Sequence, residues 1–228
     1  MSEMSDWAQH LTERYPDPRQ WPSFENSWKR DVFRFVRLWV TEGIPYAFRQ
    51  KPMVFEIARE KIGHRLSVEP KCVGVSGSGS TGFSYAPSKF GTPYESGRSD
   101  LDLFIVSETQ FSQTVADFQL FTDRFTSGRE APKTAAEGRY WPTNLRETPG
   151  TIRRGFIDQW RIPVKNEYTA ARRLSSATSI FQAVVKRELG VEMHRMSVRV
   201  YRTWDNAVGQ IGGSLLRALS RNIRREST

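Results

Sequence analysis

Two short apolar runs constrain the fold of this chain most, because each has the length and composition of a buried strand. Residues 72–75 (CVGV) are partly β-branched, and residues 100–106 (DLDLFIV) end in four apolar side chains. Both runs lie among segments in which apolar residues recur every three or four positions, as on one face of a helix. This alternation predicts an α/β or α+β fold, with a small mixed sheet of three to five strands flanked by helices.

Helical periodicity predicts two N-terminal helices and three later ones, over residues 28–40, 52–66, 111–125, 168–189 and from 208 onward. A third strand is expected over 196–204, and irregular chain over at least the first part of 127–150, where Gly, Pro and charged residues are frequent. A chain of 228 residues can bury one large core. We therefore expect one compact unit, with a helical segment (residues 1–68) packed on a core (residues 69–228).

Composition and charge limit the class of function. Mean hydropathy is −0.57 and no apolar run approaches 18 residues, which argues against a transmembrane helix. The N-terminus lacks a secretory pattern, and one cysteine, Cys72, cannot form an internal disulfide, so a cytoplasmic location is expected. The net charge is +9, and residues 129–228 hold 19 basic against 9 acidic side chains. Such a basic half predicts a polyanionic partner, either nucleic acid or nucleotide phosphates.

Two motifs with chemical potential follow one another. Gly77-Ser78-Gly79-Ser80-Thr81-Gly82 comes directly after the first strand, where glycines allow close backbone approach and hydroxyls can bind phosphate oxygens. Asp100 and Asp102 stand two residues apart at the start of the second strand, so both carboxylates project from one face. Adjacent carboxylates repel each other unless a cation lies between them, and Mg²⁺ can bind both carboxylates and substrate phosphates.

This combination resembles the active site of the DNA polymerase beta-like nucleotidyltransferase superfamily. The matching positions are Gly77-Ser78, a third glycine at Gly82, and the Asp100-Leu101-Asp102 strand, and the wider stretch resembles stand-alone bacterial nucleotidyltransferase-like proteins. The resemblance implies a sheet of nucleotidyltransferase type and transfer of a nucleoside monophosphate from an NTP to an acceptor hydroxyl. It further implies release of pyrophosphate, and Mg²⁺ or Mn²⁺ held by the two aspartates.

The chain departs from the family pattern in two ways. A long loop, residues 83–99, separates the two motifs, and Lys89 and Arg98 within it could contact phosphates. The family usually carries a third carboxylate on a neighbouring strand, whereas the third predicted strand has none. Asp205, just beyond that strand, and Asp158 are the candidates; Asp205 could equally be a helix N-cap. If neither serves, the site holds one metal ion or binds nucleotide without turnover.

Arginines supply the expected phosphate contacts. Arg199 and Arg202, on the third predicted strand, are the preferred triphosphate ligands, and more distal arginines suit an RNA or other polyanionic acceptor. Trp141 and Trp160 lie in basic segments and could stack a base, although core packing is the first explanation for most tryptophans.

Three functions remain open. The leading prediction is a metal-dependent nucleotidyltransferase, and the alternative is an inactive nucleotide- or nucleic-acid-binding module of the same fold. The third is a dinucleotide-dependent oxidoreductase, because the glycines also match the G-x-G-x-x-G fingerprint of that class. That fingerprint must be followed by a helix, and the segment FSYAPSKFG that follows here disfavours one. The acceptor, the base preference and the oligomeric state do not follow from the sequence.

Overall fold

A four-stranded mixed sheet forms the centre of the molecule. A computed structural model describes residue 15 and residues 29–86, 88–193 and 196–226, with the backbone alone at 29–30 and 221–226. Its strands are β1 (Val73–Ser76), β2 (Leu101–Val106), β3 (Phe156–Asp158) and β4 (Met196–Tyr201), in the spatial order β1-β2-β4-β3. Strands β2 and β4 are parallel, and the two outer pairs are antiparallel. The predicted class, a mixed sheet of three to five strands flanked by helices, is therefore confirmed.

Seven α-helices surround this sheet in the described part of the chain. They are α1 (Lys29–Phe35), which continues as a π-helical turn (Val36–Thr41), α2 (Pro52–Leu66), α3 (Ser78–Thr81), α4 (Glu108–Thr126), α5 (Ala135–Arg153), α6 (Thr169–Leu189) and α7 (Trp204–Glu226). Local chemistry sets several of their ends: Pro52 occupies the first turn of α2, and Gly190 closes α6 with a left-handed φ of 68°. Among the described residues, no helix is both long enough and apolar enough to cross a membrane.

The two faces of the sheet bury different clusters. Alternate side chains of the strands, such as Val75, Leu103 and Val198, pack on one face against α2, α4, α5 and α6. On the other face, Phe104 and Tyr201 pack against α1 and α7 in a smaller cluster. Because this second cluster covers only part of its face, polar side chains at one end of the strands remain accessible.

Local structure differs from the prediction at two places. Residues 127–134 lie outside helices and strands, as expected for the first part of 127–150, and helix α5 then begins at a capping box between Thr134 and Glu137. The third predicted strand ends at Tyr201 instead of residue 204, because helix α7 begins at Trp204. Strand β3 is short and lay outside the predicted elements. Elements from residues 29–68 contribute to both apolar clusters, while most of residues 1–28 lies outside the described residues.

Candidate functional site

The sheet topology brings four strand ends to one edge. Ser76 at the end of β1 pairs with Asp102 in β2, and Asp102 pairs in turn with Ser197 near the start of β4. Because β3 is antiparallel to β4, its final residue, Asp158, pairs with Arg199 near the same edge. The glycine-serine turn, the aspartate pair and Arg199 therefore lie along one side of the sheet.

A cavity of about 920 Å³ opens at this edge. Its lining includes Gly77, Ser78, Asp100, Asp102 and Arg199, so the two sequence motifs share one space. The remaining walls come from the loop over residues 84–99 and from helix α7. Four basic and three acidic side chains face this cavity, which gives it the mixed charge that a metal-bound polyphosphate requires.

The aspartate pair has no cationic partner among the residues that the structure describes. Asp100 is exposed and Asp102 is half-buried, and the Oδ1 atom of Asp102 accepts a hydrogen bond of 2.7 Å from the Ser197 hydroxyl. Within the described ranges, neither carboxylate forms an ion pair with a lysine or arginine. Their charge therefore remains available to a ligand.

The backbone at Gly77 approaches the carboxylate of Asp102 closely. Gly77 has φ 69° and ψ −157°, a conformation open essentially to glycine alone, and a Cβ there would lie 3.3 Å from Oδ2 of Asp102. The amide of Gly77 donates a hydrogen bond of 2.8 Å to the Tyr85 hydroxyl. Burial raises the pKa of Tyr85, so this hydroxyl stays protonated.

Only the first two residues of the glycine-serine run line the cavity; the other four predicted nucleotide ligands lie behind it. Gly79, Ser80, Thr81 and Gly82 are buried. A Cβ on Gly79 would lie 2.9 Å from the Leu101 side chain, so packing favours glycine at this position. The Thr81 hydroxyl donates to the Phe83 carbonyl, which fixes the start of the following loop. These four residues shape the turn and do not line the cavity, so the phosphate contacts expected from them stay a prediction without geometric support.

Arg199 joins the cavity to Asp158. Its Nε donates to the Asp158 carboxylate at 2.7 Å, and Asp158 is buried. Burial opposes the charge of Arg199, but Asp158 and Tyr201 together outweigh it and raise the pKa of the guanidinium. Asp158 also lies 3.7 Å from Arg161 and does not line the cavity. The candidate third carboxylate is thus held between two arginines, away from the cavity.

Two other predicted site residues lie at the far edge of the sheet. Because β4 runs parallel to β2, the residues that follow Tyr201 are at the end opposite Asp100. Asp205 is exposed in the first turn of α7, and Arg202 lies over the ring of Phe111 at 5.9 Å on the opposite face of the sheet. Neither lines the cavity, so neither catalysis by Asp205 nor triphosphate binding by Arg202 fits this geometry.

Sequence reasoning missed a polar row on helix α7. Gln210, Ser214 and Arg217 line the cavity at helical spacing, although their neighbours on that helix are apolar core residues. The Tyr201 hydroxyl donates to Gln210 at 2.5 Å, and both Gln210 and Arg217 donate to the Ser214 hydroxyl at 3.1 Å. The recurrence of polar residues on an otherwise apolar stripe was the signal that could have revealed this wall.

The donor set suits a hard divalent cation. Asp100 and Asp102 offer carboxylate oxygens, and Ser76 adds a hydroxyl nearby. No group of three or more His, Cys, Asp or Glu side chains comes together in the part of the chain described here. Mg²⁺ is commonly held by one or two carboxylates together with waters and substrate phosphates, so two aspartates fit this ion if a ligand supplies further oxygens.

The chain was also compared with known proteins. No family model, no curated protein and no solved structure matches it. The description of the fold class and of the cavity therefore depends on the structure of this chain alone.

Proposed function

We propose that this protein is a metal-dependent nucleotidyltransferase that transfers a nucleoside monophosphate from an NTP to an acceptor hydroxyl. One observation carries the proposal: the aspartate pair and the Gly77–Ser78 turn, which the sequence resemblance links to this chemistry, line one open cavity. The basic side chains Lys89, Arg199 and Arg217 in the same cavity support binding of a polyphosphate. We extend the proposal to a sheet of nucleotidyltransferase type and to a cytoplasmic location.

In this mechanism each wall of the cavity has a distinct task. Asp100 and Asp102 would hold Mg²⁺ or Mn²⁺, which when bound neutralises phosphate charge and lowers the pKa of the acceptor hydroxyl. Ser197 orients Asp102 through its hydroxyl. Gly77 and Ser78 approach the phosphates closely, and Arg199 offsets the charge that builds on the leaving pyrophosphate. The acceptor oxygen bonds to the α-phosphorus as the bond to pyrophosphate breaks, and the hydroxyl proton passes to solvent water.

A nucleotide-binding module without turnover is the second candidate, and the position of Asp158 favours it. That carboxylate is bound by Arg199 and lies outside the cavity. Glu95, the third acidic residue of the lining, lies 3.2 Å from Arg98. Among the described residues, this leaves the aspartate pair as the unpaired acidic side chains for metal. Two-metal catalysis normally uses more ligands. Binding of NTP without chemistry is the outcome expected from this alternative.

Labelled substrate distinguishes the two candidates. The protein is incubated with each α-labelled NTP, with Mg²⁺ or Mn²⁺, and with total cell RNA or protein, and both pyrophosphate and the labelled product are measured. Transfer of label, abolished in Asp100→Asn and Asp102→Asn, supports the enzyme. Tight NTP binding by calorimetry with no pyrophosphate under either metal supports the module instead.

A further inference from the structure

A half-exposed tryptophan lies near the same edge of the sheet as the cavity. Trp160 follows Asp158 by two residues, and β3 ends near the edge where β4 begins. Its side chain is 51% exposed, so the core packing first expected for the tryptophans does not explain this one. Strands are spaced about 4.8 Å apart, which places the end of β3 about 10 Å from strand β2, at the level of Phe104.

The indole of Trp160 is supported from behind. The guanidinium of Arg161 lies 4.7 Å from the centre of the indole ring, and the Arg161 side chain is only 11% exposed. Arg161 is held in turn by Glu147 at 3.1 Å, while its carbonyl accepts a hydrogen bond from Asn144 on helix α5. A cation held in this way limits the motion of the ring and leaves part of the indole open to solvent.

This support is continuous with the cavity. Arg199 lines the cavity and donates to Asp158, and Asp158 also lies 3.7 Å from Arg161. One chain of ion pairs therefore connects the site of phosphate binding to the back of Trp160. Because β4 lies between β2 and β3, a ligand that contacts both the aspartates and Trp160 has to cross β4.

Helix α5, which supports Arg161, also carries a row of arginines. Arg139, Arg146 and Arg153 recur every seven residues, so they share one face of the helix, and all three are exposed. Tyr140, on the flank beside them, is 58% exposed. Exposed aromatic rings next to regularly spaced cations are the features that bind the bases and phosphates of a single strand.

We propose that Trp160 and the arginine row (Arg139, Arg146 and Arg153) form a docking surface for single-stranded nucleic acid, and that this nucleic acid is the acceptor in the reaction. The identity of the acceptor rests on the proposed function; the binding surface does not. Bases stack on Trp160, phosphates contact the arginine row, and the strand end enters the cavity over Arg199. Arg146 also lies 3.9 Å from Glu147, but three arginines spaced along one helix face match the repeated phosphates of a strand, so a nucleic acid is favoured over a protein partner.

Binding of fluorescent oligonucleotides to the full-length protein tests the surface directly. Anisotropy titrations use single-stranded RNA and DNA 12-mers and the matching duplex, over a range of salt concentrations. We expect Trp160→Ala to weaken single-strand binding about tenfold, and Trp160→Phe to retain most of it, because both rings stack. Changing the three arginines of the row to Gln should lower the slope of log Kd against log salt concentration by about 2.

A matched control removes the same charge elsewhere. Arg37, Lys61 and Arg187 are exposed on other elements, and their triple change to Gln should leave the salt slope nearly unaltered. Thermal melts of every variant show whether it is folded. The proposal is overturned if the wild type binds no single strand, if duplex binds as tightly, if Trp160→Ala binds like the wild type, or if the control triple variant loses as much affinity.

The same titrations separate this proposal from the enzymatic one. If oligonucleotides bind through Trp160 but receive no label from any NTP, the reaction fails and the docking surface stands. If label is transferred to another acceptor while oligonucleotides do not bind, the docking surface fails and the reaction stands. Failure of Trp160→Ala to alter labelling of a bound oligonucleotide would contradict the acceptor role alone.

Discussion

Two carboxylate sites in this molecule differ in the partners that the fold gives them. Glu130 is buried, and it accepts hydrogen bonds from Lys165 and from the Tyr168 hydroxyl, with Arg124 at 3.4 Å. Asp102 is half-buried and accepts a hydrogen bond from one neutral hydroxyl, that of Ser197. The first carboxylate is neutralised within the fold, whereas the second leaves its charge facing a cavity.

The difference indicates what each carboxylate contributes. Burying an ionised group is costly unless cations and donors surround it, and Glu130 has both. Its role is therefore structural, joining the chain after α4 to the start of α6. Asp102 avoids that cost by remaining near solvent, and it gains an opposite charge only when a cation binds. The following changes test this contrast, from the largest expected effect to the smallest.

Removal of the charge of Asp102 should have the largest effect. Asp102→Asn keeps an oxygen for the Ser197 hydroxyl but loses the negative charge that holds the metal. We expect the rate of pyrophosphate release to fall about a thousandfold, equivalent to about 4 kcal/mol of transition-state free energy. The melting temperature without ligands should change little. Asp205→Asn, at an exposed carboxylate on the far edge, is the control, and an equal loss there would contradict the assignment.

Removal of the charge of Glu130 should affect stability instead. Glu130→Gln leaves Lys165 without its anion, and breaking a buried pair of this kind costs about 3 kcal/mol of unfolding free energy. The rate per folded molecule should stay at the wild-type value. Denaturant unfolding measures the first quantity, and pyrophosphate release measures the second. A stable but inactive Glu130→Gln would remove the contrast between the two sites.

The contribution of Glu130 to stability should depend on pH in a predictable direction. Burial favours the neutral form of Glu130, but the hydrogen bonds and charges of Lys165, Tyr168 and Arg124 outweigh it and lower the pKa of the carboxyl. The stabilisation is therefore present above the ordinary pKa of Glu, about 4.3, and is lost as the pH falls through the lower folded value. Melting curves of wild type and Glu130→Gln should differ at pH 7 and converge in acid.

Part of the site could be predicted because it depends on local geometry. Asp100 and Asp102 share a face since side chains alternate along a strand, and Gly77 follows an apolar strand at a turn. The same alternation also separates Arg199 from Arg202, because an odd spacing puts them on opposite faces. Likewise, Thr134 and Glu137 form a capping-box pattern that predicts the start of α5. These two signals were present in the sequence and were missed.

The rest depended on which strands pair and in which direction. Asp205 follows β4 and Asp158 ends β3, so both were reasonable candidates from order along the chain. Because β2 and β4 are parallel, Asp205 lies at the far edge of the sheet. Because β3 is antiparallel to β4, Asp158 lies near the site, where it accepts a hydrogen bond from Arg199. Strand direction is set by long-range packing, and the hydrophobic periodicity of the sequence does not predict it.

A side chain at residue 77 should damage the site with a moderate cost in stability. Gly77→Ala forces a strained backbone at φ 69° and crowds Oδ2 of Asp102, so we expect a loss of about 2 kcal/mol in unfolding free energy. NTP affinity should fall too, because the turn can no longer approach the carboxylate. Gly138→Ala is the control: its Cβ meets open space in helix α5, and helix propensity predicts a gain of up to about 1 kcal/mol.

The smallest effect expected concerns the hydroxyl of Tyr85. This group accepts the hydrogen bond of the Gly77 amide, the same donor that a phosphate oxygen would use. Tyr85→Phe leaves that amide without its partner and should cost about 1 kcal/mol, a fall of roughly 2–4 °C in melting temperature. Added NTP and Mg²⁺ should restore more stability to the variant than to the wild type, because the amide is then free to bind phosphate. Scanning fluorimetry with and without nucleotide measures both shifts. A variant that gains less than the wild type would instead identify the hydroxyl of Tyr85 as a ligand of the nucleotide, and the cavity would then bind substrate with this residue in place.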